Sequence, residues 1–122
     1  MKVAIRADAS AELGSGHVVR CRTLARTLAQ RGAEITFLSR DCPGNMLAVL
    51  GEEGWTVGRL PASLPDEAAD SAAAIAALGG TRVDWLVVDH YGLGATWQRR
   101  MRSCTGRIMD IDDVADGPHD CD

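Results

Sequence analysis

The sequence predicts an α/β domain, a parallel sheet with helices on both faces. Two observations carry this. Short β-branched or apolar runs alternate with segments of helical periodicity through five strand-like stretches, and strand–helix–strand repeats of this kind close as right-handed crossovers of a parallel sheet. The chain also has the size and make-up of one such unit, with 122 residues, 46% hydrophobic and 25% charged. That is enough for a single core.

The elements follow in order. Lys2 to Ala7 (KVAIRA) is a β-branched first strand, followed by a polar, glycine-bearing loop from Asp8 to Gly16. From His17 to Arg31 the apolar residues Val18, Cys21, Leu24, Ala25 and Leu28 recur at three- and four-residue spacing, while Arg20, Arg22, Arg26 and Arg31 lie largely off that stripe. This predicts an amphipathic helix, with Gly32 as its stop. Glu34 to Leu38 is a second strand, Asn45 to Glu53 a short helix ended by Gly54, and Thr56 to Leu60 a third strand. The two prolines of PASLPDE mark a surface connection. An alanine-rich helix from Glu67 to Leu78, a strand from Trp85 to Val88, a helix from Ala95 to Arg102 and a strand from Arg107 to Ile111 complete the Rossmann-like pattern. Trp55, Trp85 and Trp97 read as core or edge-packing residues.

Composition excludes several classes of function. A formal net charge of -4 argues against a non-specific nucleic-acid binder. Few aromatics leave no stacking platform for bases. No apolar run approaches the roughly 20 residues of a membrane span, and the first residues lack the apolar core of a signal peptide. The four cysteines, Cys21, Cys42, Cys104 and Cys121, are scattered with no Cys-x-x-Cys pair, which fits free thiols in the cytoplasm. His119 and Cys121 lack the second ligand pair that a zinc site needs, and no metal or cofactor is expected. The ending DIDDVADGPHDCD is loop chemistry directly after a strand, with no helix to cover the last sheet face. It reads as a piece of a longer protein.

In parallel sheets of this kind, ligands sit beyond the carboxyl ends of the strands. Asp8 follows the first strand, Asp89 and Tyr91 the fourth, and Asp110, Asp112 and Asp113 the fifth, so one rim carries groups able to bind or titrate. Asp89 also suits a plain turn, and the three late aspartates would suit a divalent cation. At the same rim stands Gly14-Ser15-Gly16-His17. The two glycines permit a tight turn, and His17 is then only a helix-start residue. The dinucleotide fingerprint Gly-x-Gly-x-x-Gly is not met, because Val19 takes the third glycine's place, where it would obstruct helix–strand packing, and no acidic residue ends the second strand.

The catalytic reading is more specific. A helix amino terminus disfavours a protonated imidazole, leaving a neutral ring able to take a proton from water or a hydroxyl. Such a base contributes about 10²–10⁴-fold to a rate. An acidic neighbour such as Asp8 would orient the ring through its other nitrogen, while also favouring the protonated form.

Three segments, IRADASAELGSGHVVRCRTLARTL, VVDHYGLGATWQ and DIDDVADGPHDCD, occur in this order. Together they closely resemble the UDP-2,4-diacetamido-2,4,6-trideoxy-β-L-altropyranose hydrolase family of pseudaminic acid biosynthesis. The resemblance covers nearly the whole chain and is least distinctive between Cys42 and Thr81. It implies a glycosyltransferase-B-type architecture in which residues 1–122 form the amino-terminal half. A carboxy-terminal nucleotide-binding domain, absent from this chain, would supply most UDP contacts, so the fragment alone is expected to be inactive. Through Gly-x-Gly-His the family's catalytic histidine falls on His17, and through Asp-x-Tyr its active-site tyrosine falls on Tyr91. Gly117 and Pro118 depart from the family, standing in a loop that commonly carries a basic residue.

The implied reaction is release of a free deoxy-acetamido sugar from its UDP ester. UDP departs without a proton, so the second carboxylate of ordinary glycosidases is not needed. The expected catalytic set is His17, Tyr91 and Asp8, with Gly14, Ser15, Gly16, Arg20 and Asp89 as substrate-binding candidates. The partners expected are a UDP-sugar and the missing domain, with no nucleic acid and no membrane span. The competing readings are a glycosyltransferase of the same fold, which passes the sugar to an acceptor hydroxyl, and a sugar- or phosphate-binding module with no chemistry.

Overall fold

The two faces of the sheet are set by alternation along its central strand, β1 (Lys2–Ala7). Val3, Ile5 and Ala7 enter one buried cluster, while Ala4 enters the other and Arg6, on the same side as Ala4, is fully buried too. The computed structural model describes residues 1–11, 14–111 and 118–122. After β1 come α1 (Gly16–Gln30), β2 (Glu34–Arg40), α2 (Leu47–Glu52), β3 (Thr56–Leu60), α3 (Glu67–Ala77), β4 (Val83–Asp89), α4 (Ala95–Met101) and β5 (Thr105–Asp110). The five strands form one all-parallel sheet in the order β3-β2-β1-β4-β5. This is the Rossmann-like α/β arrangement read from the sequence.

Val18, Cys21 and Ala25 of α1 and Leu50 of α2 pack with Ile5, Ile35, Phe37 and Val87 on one face. Ala74 of α3 and Trp97 and Met101 of α4 pack with Leu38, Leu86, Val88 and Ile108 on the other. Burying each large apolar side chain stabilises the fold by about 1.5–3 kcal/mol. The Asp66 carboxylate caps α3 by accepting from the Ala69 amide at 2.8 Å, a bond whose loss costs about 1 kcal/mol. Gly32, at φ +90°, ends α1 in the left-handed conformation that glycine adopts without strain.

Three strands run longer than local composition suggested. β2 reaches Arg40, β4 extends from Val83 to Asp89, and β5 begins at Thr105. Gly106 is a weak strand former that breaks the local pattern, but Thr105 before it gains a ladder partner in Val83 of β4. Val19 also differs from expectation. It is 43% exposed, and Val18 and Cys21 are the α1 residues that meet the sheet, so Val19 obstructs nothing. Trp97 is fully buried, Trp55 meets Phe37 edge-on at 5.7 Å, and Trp85 lies under the Arg107 guanidinium at 5.6 Å.

The strand order has one consequence for function. From β1 the chain works outward through β2 to β3, then returns across the sheet to β4 on the other side of β1. β1 and β4 therefore flank the topological switch point, where the loops leaving their carboxyl ends diverge and open a crevice.

Candidate functional site at the switch point

Ala7 and Asp89 are ladder partners at the ends of β1 and β4, so the residues just beyond them meet at the crevice. His17, Arg20 and Cys21 stand three and four residues apart on the first turns of α1, a spacing that puts them on one helix face. All three converge on the fully buried Asp89 carboxylate. His17 Nδ1 lies 2.5 Å from Oδ1, the Arg20 guanidinium grips both oxygens, with Nη2 at 2.5 Å from Oδ1, and Cys21 Sγ lies 3.7 Å from Oδ2.

This arrangement decides the tautomer of His17. A carboxylate facing a guanidinium accepts and does not donate, so Nδ1 carries the shared proton and the lone pair of the neutral ring is on Nε2. Among the described residues Nε2 has no hydrogen-bond partner, and it is not sealed from solvent. The residue is only 9% exposed, yet the ring is held at an acidic strand tip with one nitrogen open. Tyr91 meets it edge-on, with ring centroids 4.6 Å apart and planes at 79°. The Cys21 thiol is pushed up to about 12 by burial and then by the Asp89 charge, so it stays protonated and is no nucleophile.

The carboxylate that meets the ring is Asp89, not Asp8. Asp8 is instead bound by other groups on the α3 face of the sheet. Arg6 Nη1 and Nη2 reach its two oxygens at 2.6 and 3.0 Å, the Arg40 amide donates to Oδ1 at 2.8 Å, and His90 Nε2 lies 2.8 Å from Oδ2. Burial works to raise the Asp8 carboxyl, but the bonds from His90 and Arg6 outweigh it and hold the group well below the usual carboxylate range. Arg6 and Arg40 also clasp Asp70 of α3, which accepts from Arg6 Nη2 at 2.6 Å, Arg40 Nη2 at 2.8 Å and Trp97 Nε1 at 2.9 Å. Burial opposes ionisation of Asp70 as well, and the Arg6 and Arg40 contacts again prevail, lowering it.

Sequence reasoning passed over Arg6, Asp70 and His90. An arginine inside a strand and an aspartate in an alanine-rich helix both read as surface residues, and 64 positions separate them. The one signal was Arg6 itself, a charge in a strand whose neighbours are all apolar.

The other expected residues take simpler places. Gly14 has φ +77° and pairs with Ser10 in an isolated bridge, as a tight turn requires. Ser15 is the N-cap of α1 without a side-chain capping bond, and a Cβ on Gly16 would meet nothing within 4 Å. His119 Nδ1 lies 2.9 Å from Asp110 Oδ2. Among the described residues no group of three or more His, Cys, Asp or Glu side chains converges as a metal site, and Asp112, Asp113 and Gly117 lie outside them. No helix among them is long and apolar enough to cross a membrane.

Two clefts reach residues next to the dyad, Tyr91 in one and His90 in the other. One of about 350 Å³ is lined by Tyr91, Gly94, Thr96, Arg99 and His119, and another of about 390 Å³ by Asp8, Arg40, Cys42 and His90. Both are of the size of small-ligand pockets.

No family model matches the chain. Comparison with curated proteins finds similarity to the UDP-2,4-diacetamido-2,4,6-trideoxy-β-L-altropyranose hydrolase of Campylobacter jejuni subsp. jejuni serotype O:2, at 27% identity over a 124-position alignment. The alignment takes in the whole of this chain but 40% of that protein, so the chain spans about two fifths of its relative's length. Over that span, a distant relative of this α/β chain is a UDP-sugar hydrolase.

Proposed function

We propose that this chain is the amino-terminal half of a nucleotide-sugar hydrolase of glycosyltransferase-B type, acting in pseudaminic acid biosynthesis. The single observation that carries the reading is the Asp89–His17 pair, which turns a basic nitrogen outward at the switch point of the sheet. The similarity to a UDP-sugar hydrolase along the whole chain supports the substrate class. The carboxy-terminal half supplies most of the contacts to UDP in this reading, so turnover belongs to the two-domain protein.

In the proposed reaction, Nε2 of His17 takes a proton from water as the water oxygen bonds to the anomeric carbon. The bond from that carbon to the phosphate oxygen breaks, and UDP leaves with the electron pair. The imidazolium so formed is stabilised by Asp89, which also keeps the ring from rotating. Tyr91 spans the edge of the ring and the 350 Å³ cleft, a place from which it orients the sugar or the water. Asp8 acts at one remove, through His90. Arg20 is committed to Asp89 and supports the dyad, while the Gly14–Gly16 turn is left to shape the approach to it.

His17→Asn in the full-length protein is expected to lower hydrolysis of the UDP-sugar by about 10²–10⁴-fold while UDP affinity stays within twofold. Turnover in oxygen-18 water is expected to place the label in the free sugar. Label in UDP, or near-normal turnover by His17→Asn, defeats the assignment.

A further inference from the structure

A second imidazole stands beside the first. His90 follows Asp89 directly, its side chain is 13% exposed, and both of its nitrogens are engaged. The Gly92 amide donates to Nδ1 at 2.9 Å, and Nε2 lies 2.8 Å from Asp8 Oδ2. An amide N–H only donates, so Nδ1 holds the lone pair and Nε2 carries the proton to Asp8. Neither nitrogen is left to exchange a proton with a substrate. His90 is the wrong histidine for a base and the right one for a strut.

The strut joins the tip of β1 to the turn that follows β4. The Asp89–His17 pair joins the same two places in the opposite sense, from β4 to the helix that follows β1. Between the two ties lies Tyr91, whose ring abuts His17. The turn is closed down on the His90 ring, since a Cβ on Gly92 would lie 3.2 Å from Cε1 and 3.4 Å from Nδ1. The far end of the strut is braced as well, because Arg6 and the Arg40 amide hold Asp8 in place.

We infer that His90 is a positioning residue that fixes the 89–92 turn, and through it aims Asp89 at His17 Nδ1 and Tyr91 against the His17 ring. The inference rests on the reading above only in taking His17 as the reacting base. Its readout needs no substrate.

The test is nitrogen-15 imidazole NMR of this 122-residue chain. In the wild type, His17 is expected to show its proton on Nδ1, its ring protons are expected to carry the Tyr91 ring-current shift, and the Gly92 amide to exchange slowly. His90→Phe keeps the ring volume and removes both bonds. It is expected to abolish the Nδ1–H signature of His17, the Tyr91 shift and the Gly92 protection, with the sheet amides still dispersed. His90→Asn returns an acceptor for the Gly92 amide and is expected to restore part of the Tyr91 shift. Where His90→Phe does not fold, Gly92→Ala presses a Cβ on the same ring and is read in the same way. A folded variant of either kind that keeps the His17 signature and the Tyr91 shift overturns the inference. If the signatures respond as expected but the full-length protein does not hydrolyse a UDP-sugar, only the hydrolase reading fails. If it hydrolyses normally and the signatures ignore residue 90, only this inference fails.

Discussion

Asp70→Asn is the sharpest perturbation of the buried charge cluster beneath the site. Asp70 and Arg6 are each fully buried, and Asp70 accepts from Arg6 Nη2 at 2.6 Å, Arg6 Nε at 3.1 Å, Arg40 Nη2 at 2.8 Å, Arg40 Nε at 3.2 Å and Trp97 Nε1 at 2.9 Å. The cluster holds two guanidinium groups and two carboxylates, Asp8 and Asp70, and so balances. The substitution keeps the volume but leaves one positive charge unmatched, and it points an amide N–H₂ at a set of donors. Removing one partner of a buried pair costs about 3–5 kcal/mol. Against a total of about 5–15 kcal/mol for a domain, that is a fifth or more of the stability. Urea unfolding followed by tryptophan fluorescence measures it directly, since Trp97 is itself a partner. With a slope near 1.5 kcal/mol per molar, the midpoint is expected to fall by roughly 2–3 M. A fall of less than about 0.5 M would refute the claim that this cluster is a dry, mutually dependent unit.

Other outcomes follow from the same geometry. Asp89→Asn is expected to present its amide N–H₂ to His17, force the proton to Nε2 and lower UDP-sugar hydrolysis in the full-length protein by about 10³–10⁴-fold, checked by steady-state kinetics beside the His17 nitrogen shifts. Asp8 and Asp70 are both held below the ordinary carboxylate range, so the stability they contribute is whole above the unfolded value near pH 4 and is lost as the pH falls through their folded values. Urea midpoints measured from pH 6 down to pH 2 should fall in acid, and less steeply for Asp70→Asn. A thiol-reactive dye on the native chain should label the exposed Cys121 quickly and leave Cys21 and Cys104 untouched until denaturant is added, because burial raises both thiols and shields them.

Much of the fold was legible because its signals are local. KVAIRA is a strand on any reading, and the three- and four-residue spacing of Val18, Cys21, Ala25 and Leu28 makes α1 amphipathic without help from the rest of the chain. The boundaries that shifted, at Val83 and Thr105, are ladder partners of each other, and the strands reach them across Asp84 and Gly106, residues that interrupt the local pattern. The site was legible as a rim but not as a set of pairs. Asp89 and Tyr91 could be placed just at or after a strand end, and His17 at the helix start on the same rim. Which carboxylate meets the imidazole depends on the side of the sheet to which each strand tip turns. Asp8 lies on the side of Arg6, two residues before it, and so joins the α3 cluster, while Asp89 is left to α1. His90 escaped notice because a histidine between an aspartate and a tyrosine shows no pattern until the Gly92 amide and Asp8 close on it.

The dyad's imidazole is mounted on a rod. His17, Arg20 and Cys21 belong to a single stretch of α1 clamped to a buried carboxylate, whereas Gly14, Ser15 and Gly16, which lead into the rod, send no side chain to Asp89. Side-chain changes at Ser15 and at Gly16, where an added Cβ meets nothing within 4 Å, can therefore accumulate without displacing the open nitrogen of His17. Under the proposed function, such a division of labour lets the approach to the crevice vary while the proton acceptor stays where α1 holds it.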